Sequence, residues 1–178
     1  VFITGGAKNG KSSYAQELAV RLAAGGKHYY IATMIPVDEE DRERIRRHIA
    51  DRDGMGFETV EQGTHILSCL DKCQPDATFL LDSTTALLMN ELFLPPDWHL
   101  DETAGERCGD EVAAFAQAVK HIVIVSDYIY SDAQRYDNVT ETYRRGLASI
   151  DRKLAAISDV VLEMSGGNLI VHKGVLPE

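Results

Sequence analysis

No stretch of the 178-residue sequence reaches the roughly 18 consecutive apolar residues that a membrane-crossing helix needs. Cysteine is scarce as well. Cys69, Cys73 and Cys108 are an odd number without CxxC spacing, which argues against a disulfide framework. Cys69 and Cys73 stand four apart in a helical pattern, a spacing that suits a metal pair but more often marks reduced thiols on one helix face. Basic charge is also in short supply: 18 Lys+Arg face 28 Asp+Glu, a net charge of −10. That balance disfavours a chain that wraps nucleic acid. No leader-like segment is legible, although the chain opens at Val1 inside an apparent strand and a few residues are expected to precede it, and a cytoplasmic protein is expected.

Apolar content is ordinary at 44%, which supports one domain with a sizeable core, expected over residues 1–178. The acidic excess is uneven. Residues 1–60 carry 9 Lys+Arg and 9 Asp+Glu, whereas residues 61–178 carry 9 against 19. An anion site is therefore expected in the first third.

Along the chain, apolar runs alternate with helical periodicities. Strands are expected at 1–4, 28–33, 57–60, 77–81 and 121–126. Helices are expected at 11–24, 38–51, 64–73, 84–94, 110–120 and 140–157. Residues 95–109, PPDWHLDETAGERCG, read as one long irregular stretch. Two final strands, 159–164 and 169–172, flank the turn signal SGGN. The expected fold is α/β: a mostly parallel central sheet, helices on both faces and a C-terminal antiparallel hairpin.

Gly5-Gly6-Ala7-Lys8-Asn9-Gly10-Lys11-Ser12 matches G-x-x-x-x-G-K-[ST] between an expected strand and an expected helix, the context a phosphate-binding loop requires. Its glycines let backbone N–H groups turn toward a phosphate, and the helix N-terminus adds partial positive charge. Lys11 would reach the β/γ-phosphates of ATP or GTP and Ser12 would ligate Mg²⁺. A P-loop site also needs an acidic residue at a neighbouring strand end. Asp82 fits, although Asp82-Ser83-Thr84 also reads as a helix cap, and Asp127 is the rival.

The segment Arg42-Glu-Arg-Ile-Arg-Arg-His48-Ile-Ala-Asp-Arg52 is unusual in an acidic protein. On a helix Arg44, His48 and Arg52 form one stripe beside Ile45 and Ile49, able to meet a single anion. Neighbouring guanidiniums favour a neutral imidazole, which suits nucleophilic catalysis on phosphorus. The plain alternative is a solvated helix whose arginines pair with its own carboxylates. The remaining histidines show no helical metal-ligand spacing and read as structural.

These features together resemble the bifunctional adenosylcobinamide kinase / adenosylcobinamide-phosphate guanylyltransferase family of cobalamin biosynthesis. The resemblance rests on VFITGGAKNGKSSYAQELA at the start, YIAT at 30–33, RIRRHIADR at 44–52, ETVE at 58–61 and LLDSTTALLMNELF at 80–93. It implies a RecA-like P-loop fold. It also implies a two-step enzyme, which phosphorylates adenosylcobinamide with ATP or GTP and then transfers GMP from GTP through a GMP-histidine at His48. Nucleotide contacts implied by the family fall on Gly5 to Ser12, on Thr33, Met34 and Ile35, on Ile49, Ala50, Asp51 and Arg52, and on Glu61, with Asp82 at an acidic position. A ring-like homotrimer is implied, with a corrinoid and nucleotides as its ligands. The last third departs from the family pattern: Asp127-Tyr-Ile-Tyr130 stands where Asn-Glu-Val-Gly is usual, and Asp151-Arg152 where Asn-Gln is usual. These departures bear on the substrate face. A variant precursor, or retention of one activity, fits them. Two further readings stay open, a P-loop kinase for another metabolite with the arginine helix as a lid, and a nucleotide-dependent regulatory module.

Overall fold

The computed structural model describes residues 1–96 and 98–176. Asp97, inside the 95–109 stretch, and the last two positions of the expected domain lie outside the described residues. Seven strands form one sheet in the order β3-β2-β4-β5-β1-β6-β7. They are β1 (Phe2–Gly5), β2 (His28–Ala32), β3 (Glu58–Glu61), β4 (Thr78–Asp82), β5 (His121–Val125), β6 (Val161–Ser165) and β7 (Asn168–Lys173). Every pairing is parallel except β6 with β7, which closes the edge as an antiparallel hairpin.

Both sheet faces are covered, which is why the central strands read as continuous apolar runs rather than alternations. Helix α1 (Lys11–Ala23) packs Ala15, Leu18 and Ala19 on one face, against Ile3, Tyr30, Leu80, Val123 and Leu162. On the other face lie α3 (Thr84–Glu91), α4 (Ala104–Ala118) and α5 (Asn138–Ile157), over Phe2, Tyr29, Ile31, Phe79, Leu81 and Ile124. Phe79 is fully buried between Tyr29 and Phe115, with ring centroids 5.2 and 5.3 Å away. Burying one such ring is worth roughly 1.5–3 kcal/mol.

Three expectations need correction. The helix expected at 64–73 is a short 3-10 helix, Ile66–Asp71, entered through His65 in a left-handed conformation whose amide donates to the buried Glu91 carboxylate at 2.5 Å. Cys73 lies beyond it, so Cys69 and Cys73 do not share one α-helical face. The irregular stretch expected at 95–109 is helical from Ala104 onward. Its Gly105 meets Gly146 of α5, where an added Cβ would lie 2.3 Å from the Gly146 Cα. Close helix crossing, not chain breaking, calls for glycine there. Helix α3 also stops at Glu91, short of the expected 94 and ahead of Pro95-Pro96.

The remaining helix, α2 (Glu39–Asp51), buries none of its 13 residues. It is held locally. Asp38 caps its first turn by accepting from the Asp41 amide at 2.9 Å, and Glu39 and Glu43 pair with Arg46 on its exposed surface.

Candidate active site at the carboxyl ends of the strands

A cleft of about 1170 Å³ opens where β1, β2, β4 and β5 end, with the phosphate loop on one wall and α2 on the other. The loop is held tightly. Gly5 has φ +155°, and a Cβ on it would come within 2.4 Å of the Met164 carbonyl oxygen, so only glycine lets β1 run this close to β6 before the turn. Helix α1 then opens at Gly10 without a side-chain cap. Of the other helices, α2, α3 and α5 spend Asp38, Ser83 and Asp137 on their first amides, while α4, like α1, has no side-chain cap. The uncapped amides of α1 are thus left for an anion. Lys11 is 4% exposed; its ammonium donates to the Gly6 carbonyl at 2.7 Å and pairs with Asp127 Oδ1 at 2.5 Å.

Asp82 and Ser12 border the same cleft. The helix-cap alternative for Asp82 falls to its neighbour: Ser83 caps α3, accepting from the Ala86 amide at 3.3 Å. Asp82 Oδ2 accepts from Tyr30 Oη at 2.9 Å, and among the described residues Oδ1 accepts no hydrogen bond. A hydroxyl and a carboxylate oxygen of this kind are a suitable hard donor set for Mg²⁺. Burial, and then the charge of Asp82, push the Tyr30 hydroxyl far above its ordinary pKa, so it stays a donor.

His48 is half-buried on the opposite wall, and Arg44 and Ile49 border the cleft beside it. The three-residue stripe is modified by the structure. Arg52 caps the end of α2 instead of continuing it, and it is buried. Its guanidinium donates to the His48 carbonyl at 2.7 Å and to Thr59 Oγ1 at 3.1 Å, and stacks on the Tyr30 ring at 4.2 Å. Arg52 therefore ties the carbonyl of His48 to the ring whose hydroxyl holds Asp82. The solvated-helix alternative describes Arg42 and Arg46, which pair with Glu39 and Glu43. Arg42, Arg44, Arg46 and Arg47 all border the cleft, but of these four only Arg44 and Arg47 form no ion pair among the described residues.

Of the positions singled out in sequence, Ala7 to Ser12, Met34, Arg44, His48, Ile49, Asp51, Arg52, Glu61 and Asp82 line the cleft, whereas Gly5, Gly6, Thr33, Ile35 and Ala50 do not. Thr33 is fully buried and acts as a lock. Its hydroxyl donates to the Ser83 carbonyl and accepts from the Ser83 amide, both at 2.8 Å. Sequence reading missed Tyr30 and Thr59 at the site, the Lys11–Asp127 pair, and Asn90, which donates to the carbonyls of Thr33 and Gly63 at 2.8 Å each and so holds two loops of the rim. It also missed that His65, Glu91 and Glu111 bring potential ligand atoms within 4.8 Å of one another. There Arg107 already neutralises Glu91.

Residues 1–171 match the family model described as cobinamide kinase / cobinamide phosphate guanyltransferase. The bifunctional adenosylcobalamin biosynthesis protein CobU of Salmonella typhimurium is 28% identical, with 93% of this chain aligned to 96% of that protein. Its Escherichia coli namesake is 25% identical over the same shares of each chain. Among solved structures, a DnaB-like replicative helicase and the KaiC-like protein PH0186 from Pyrococcus horikoshii superpose with TM-scores of 0.56 and 0.55. Both cover 97% of this chain, with 51% and 78% of theirs, at 9% and 12% identity, a likeness of fold alone. The fold is thus a P-loop NTPase fold of the RecA type, and the chain belongs to the cobinamide kinase / cobinamide phosphate guanyltransferase family.

Proposed function

We infer that this chain phosphorylates cobinamide and then guanylylates the cobinamide phosphate, with His48 as the nucleophile of the second step. The observation that carries the assignment is the single cleft bounded by an uncapped phosphate loop and by a histidine with unpaired arginines beside it. In the first step the loop amides and Lys11 hold the nucleotide phosphates while the acceptor hydroxyl attacks the γ-phosphorus. In the second, the imidazole of His48 attacks the α-phosphorus of GTP, forming an N–P bond as the bond to the bridging oxygen breaks and pyrophosphate leaves. A phosphate oxygen of the cobinamide phosphate then attacks the same phosphorus and frees the imidazole. Arg44 and Arg47 balance the negative charge gathered around that phosphorus.

Ser12 and Asp82 would hold Mg²⁺, which neutralises phosphate charge when bound. The family resemblance supports a homotrimer, and the free thiols of Cys69, Cys73 and Cys108 suit a cytoplasmic setting. No helix among the described residues is long and apolar enough to cross a membrane.

The test is incubation with α-labelled GTP. The protein is expected to gain an acid-labile, base-stable label with release of pyrophosphate, and His48→Ala is expected to gain none. A label that survives in His48→Ala refutes the covalent role. Release of nucleoside diphosphate alone points to a plain kinase.

A further inference from the structure

Tyr30, in the middle of β2, stands where the two walls of the cleft meet. In the ladder it lies opposite Thr59 of β3 and Leu80 of β4, so Asp82, two residues beyond Leu80, falls on the same face of the sheet. Its hydroxyl donates to Asp82 Oδ2 at 2.9 Å, and its ring carries the Arg52 guanidinium at 4.2 Å. Phe57 meets that ring nearly at right angles, with centroids 6.0 Å apart, and Tyr30 is 4% exposed. A ring packed in this way has no other place to go.

The two contacts fix different things. A carboxylate with both oxygens free turns about its last bond and offers either oxygen, or both, to a cation. With Oδ2 committed to a buried hydroxyl, Asp82 keeps Oδ1 alone for a cation at the phosphates. The guanidinium needs its plane held as well. Two of its nitrogens are spent on the His48 carbonyl and on Thr59, and the ring beneath keeps that fork aligned with both. A cation over the ring also draws on its electrons, which makes the hydroxyl a firmer donor to Asp82.

We propose that Tyr30 is a positioning residue for both walls: its hydroxyl makes Asp82 present one oxygen toward the metal and nucleotide, and its ring seats Arg52, which sets the end of α2 behind His48. The assignment rests on the metal and nucleotidyl roles inferred above. Its two halves separate by chemistry, because phenylalanine removes the hydroxyl and leaves the ring.

The test uses the full chain as Tyr30→Phe, Tyr30→Leu and Arg52→Lys, with Asp82→Asn as the reference for a lost metal ligand. Mn²⁺ binding beside a non-hydrolysable ATP analogue is read by electron paramagnetic resonance, and adduct formation by label from α-labelled GTP. Tyr30→Phe should bind Mn²⁺ about 10-fold more weakly, yet form the adduct within about threefold of the wild-type rate at saturating Mg²⁺. Tyr30→Leu should weaken Mn²⁺ equally and also slow the adduct about 10-fold. Arg52→Lys keeps the charge without the planar stack, so it should slow the adduct and leave Mn²⁺ binding unchanged, which tests the ring even where Tyr30→Leu does not fold. The hydroxyl's role is overturned if Tyr30→Phe binds Mn²⁺ within about twofold of wild type. The ring's role is overturned if Tyr30→Phe slows the adduct as much as Tyr30→Leu, or if Arg52→Lys forms it at the wild-type rate. If Asp82→Asn binds Mn²⁺ like the wild type, or if the wild type forms no adduct, the metal or nucleotidyl reading itself fails and the matching half of this role fails with it.

Discussion

Lys11 and His48 face one cleft, but Lys11 sits 4% exposed at the start of α1, where the phosphate loop ends, whereas His48 rides a helix with no buried residue. The difference follows from the chemistry each wall serves. Phosphates of any nucleotide present the same charge and shape, so a rigid cradle suits every turnover. A nucleophile that must approach an α-phosphorus and later yield it to a second substrate gains from a lightly held support. A 13-residue helix is marginal by itself. Here the Asp38 cap and the buried Arg52 supply the anchorage that tertiary packing does not.

Removing the rigid element should hurt most. Lys11→Ala is expected to lower kcat/KM of both steps on the order of 10³-fold, by loss of a cation clamp on the phosphates. Steady-state assays of each step check this. A loss confined to one step would mean that the two reactions do not share the loop. Releasing the light element should be selective. Arg52→Ala removes the tie to the His48 carbonyl and to Tyr30, and is expected to slow adduct formation about 10- to 100-fold while phosphate transfer changes less than about fivefold. Stability should fall by about 1–2 kcal/mol from the lost stacking and hydrogen bonds. Equal slowing of both steps would show that α2 is not an independent arm.

The same contrast governs how much could be read from sequence. The phosphate loop was legible because its chemistry is contiguous: glycines, Lys11 and Ser12 lie between a strand and a helix that periodicity already marks. The sheet and its C-terminal hairpin were legible for the same local reason. The anchorage of α2 was not, because Arg52, Thr59, Tyr30 and Asp82 come from four elements and meet only once β3, β2 and β4 pair. Asp127 was visible as an acidic strand end, but its contact with Lys11 depends on β5 lying beside β1. The start of α4 was not legible within the 95–109 stretch, because Gly105 serves a close crossing with Gly146 that only the packed helices reveal.

The smallest effect tests the rigid wall from beneath. Burial pushes the Asp151 carboxyl up from 3.8 to about 6, with the charge of Asp127 adding and the bonds from Ser126 and Tyr130 opposing. Between these two values the folded chain holds a proton that the unfolded chain has lost. Stability therefore falls as pH rises through that window, by roughly 2–3 kcal/mol, and levels off above it. Asp151→Asn keeps the shape and both hydroxyl contacts, one as donor and one as acceptor, without the charge. Urea unfolding at pH 4 and pH 7 should show the variant gaining on the wild type by about 2 kcal/mol at the higher pH, with adduct formation on the far wall unchanged. Parallel stability curves would mean that Asp151 ionises without cost. The wall under Asp127 would then be softer than its hydrogen bonds imply, and Asp127 freer to withdraw from Lys11.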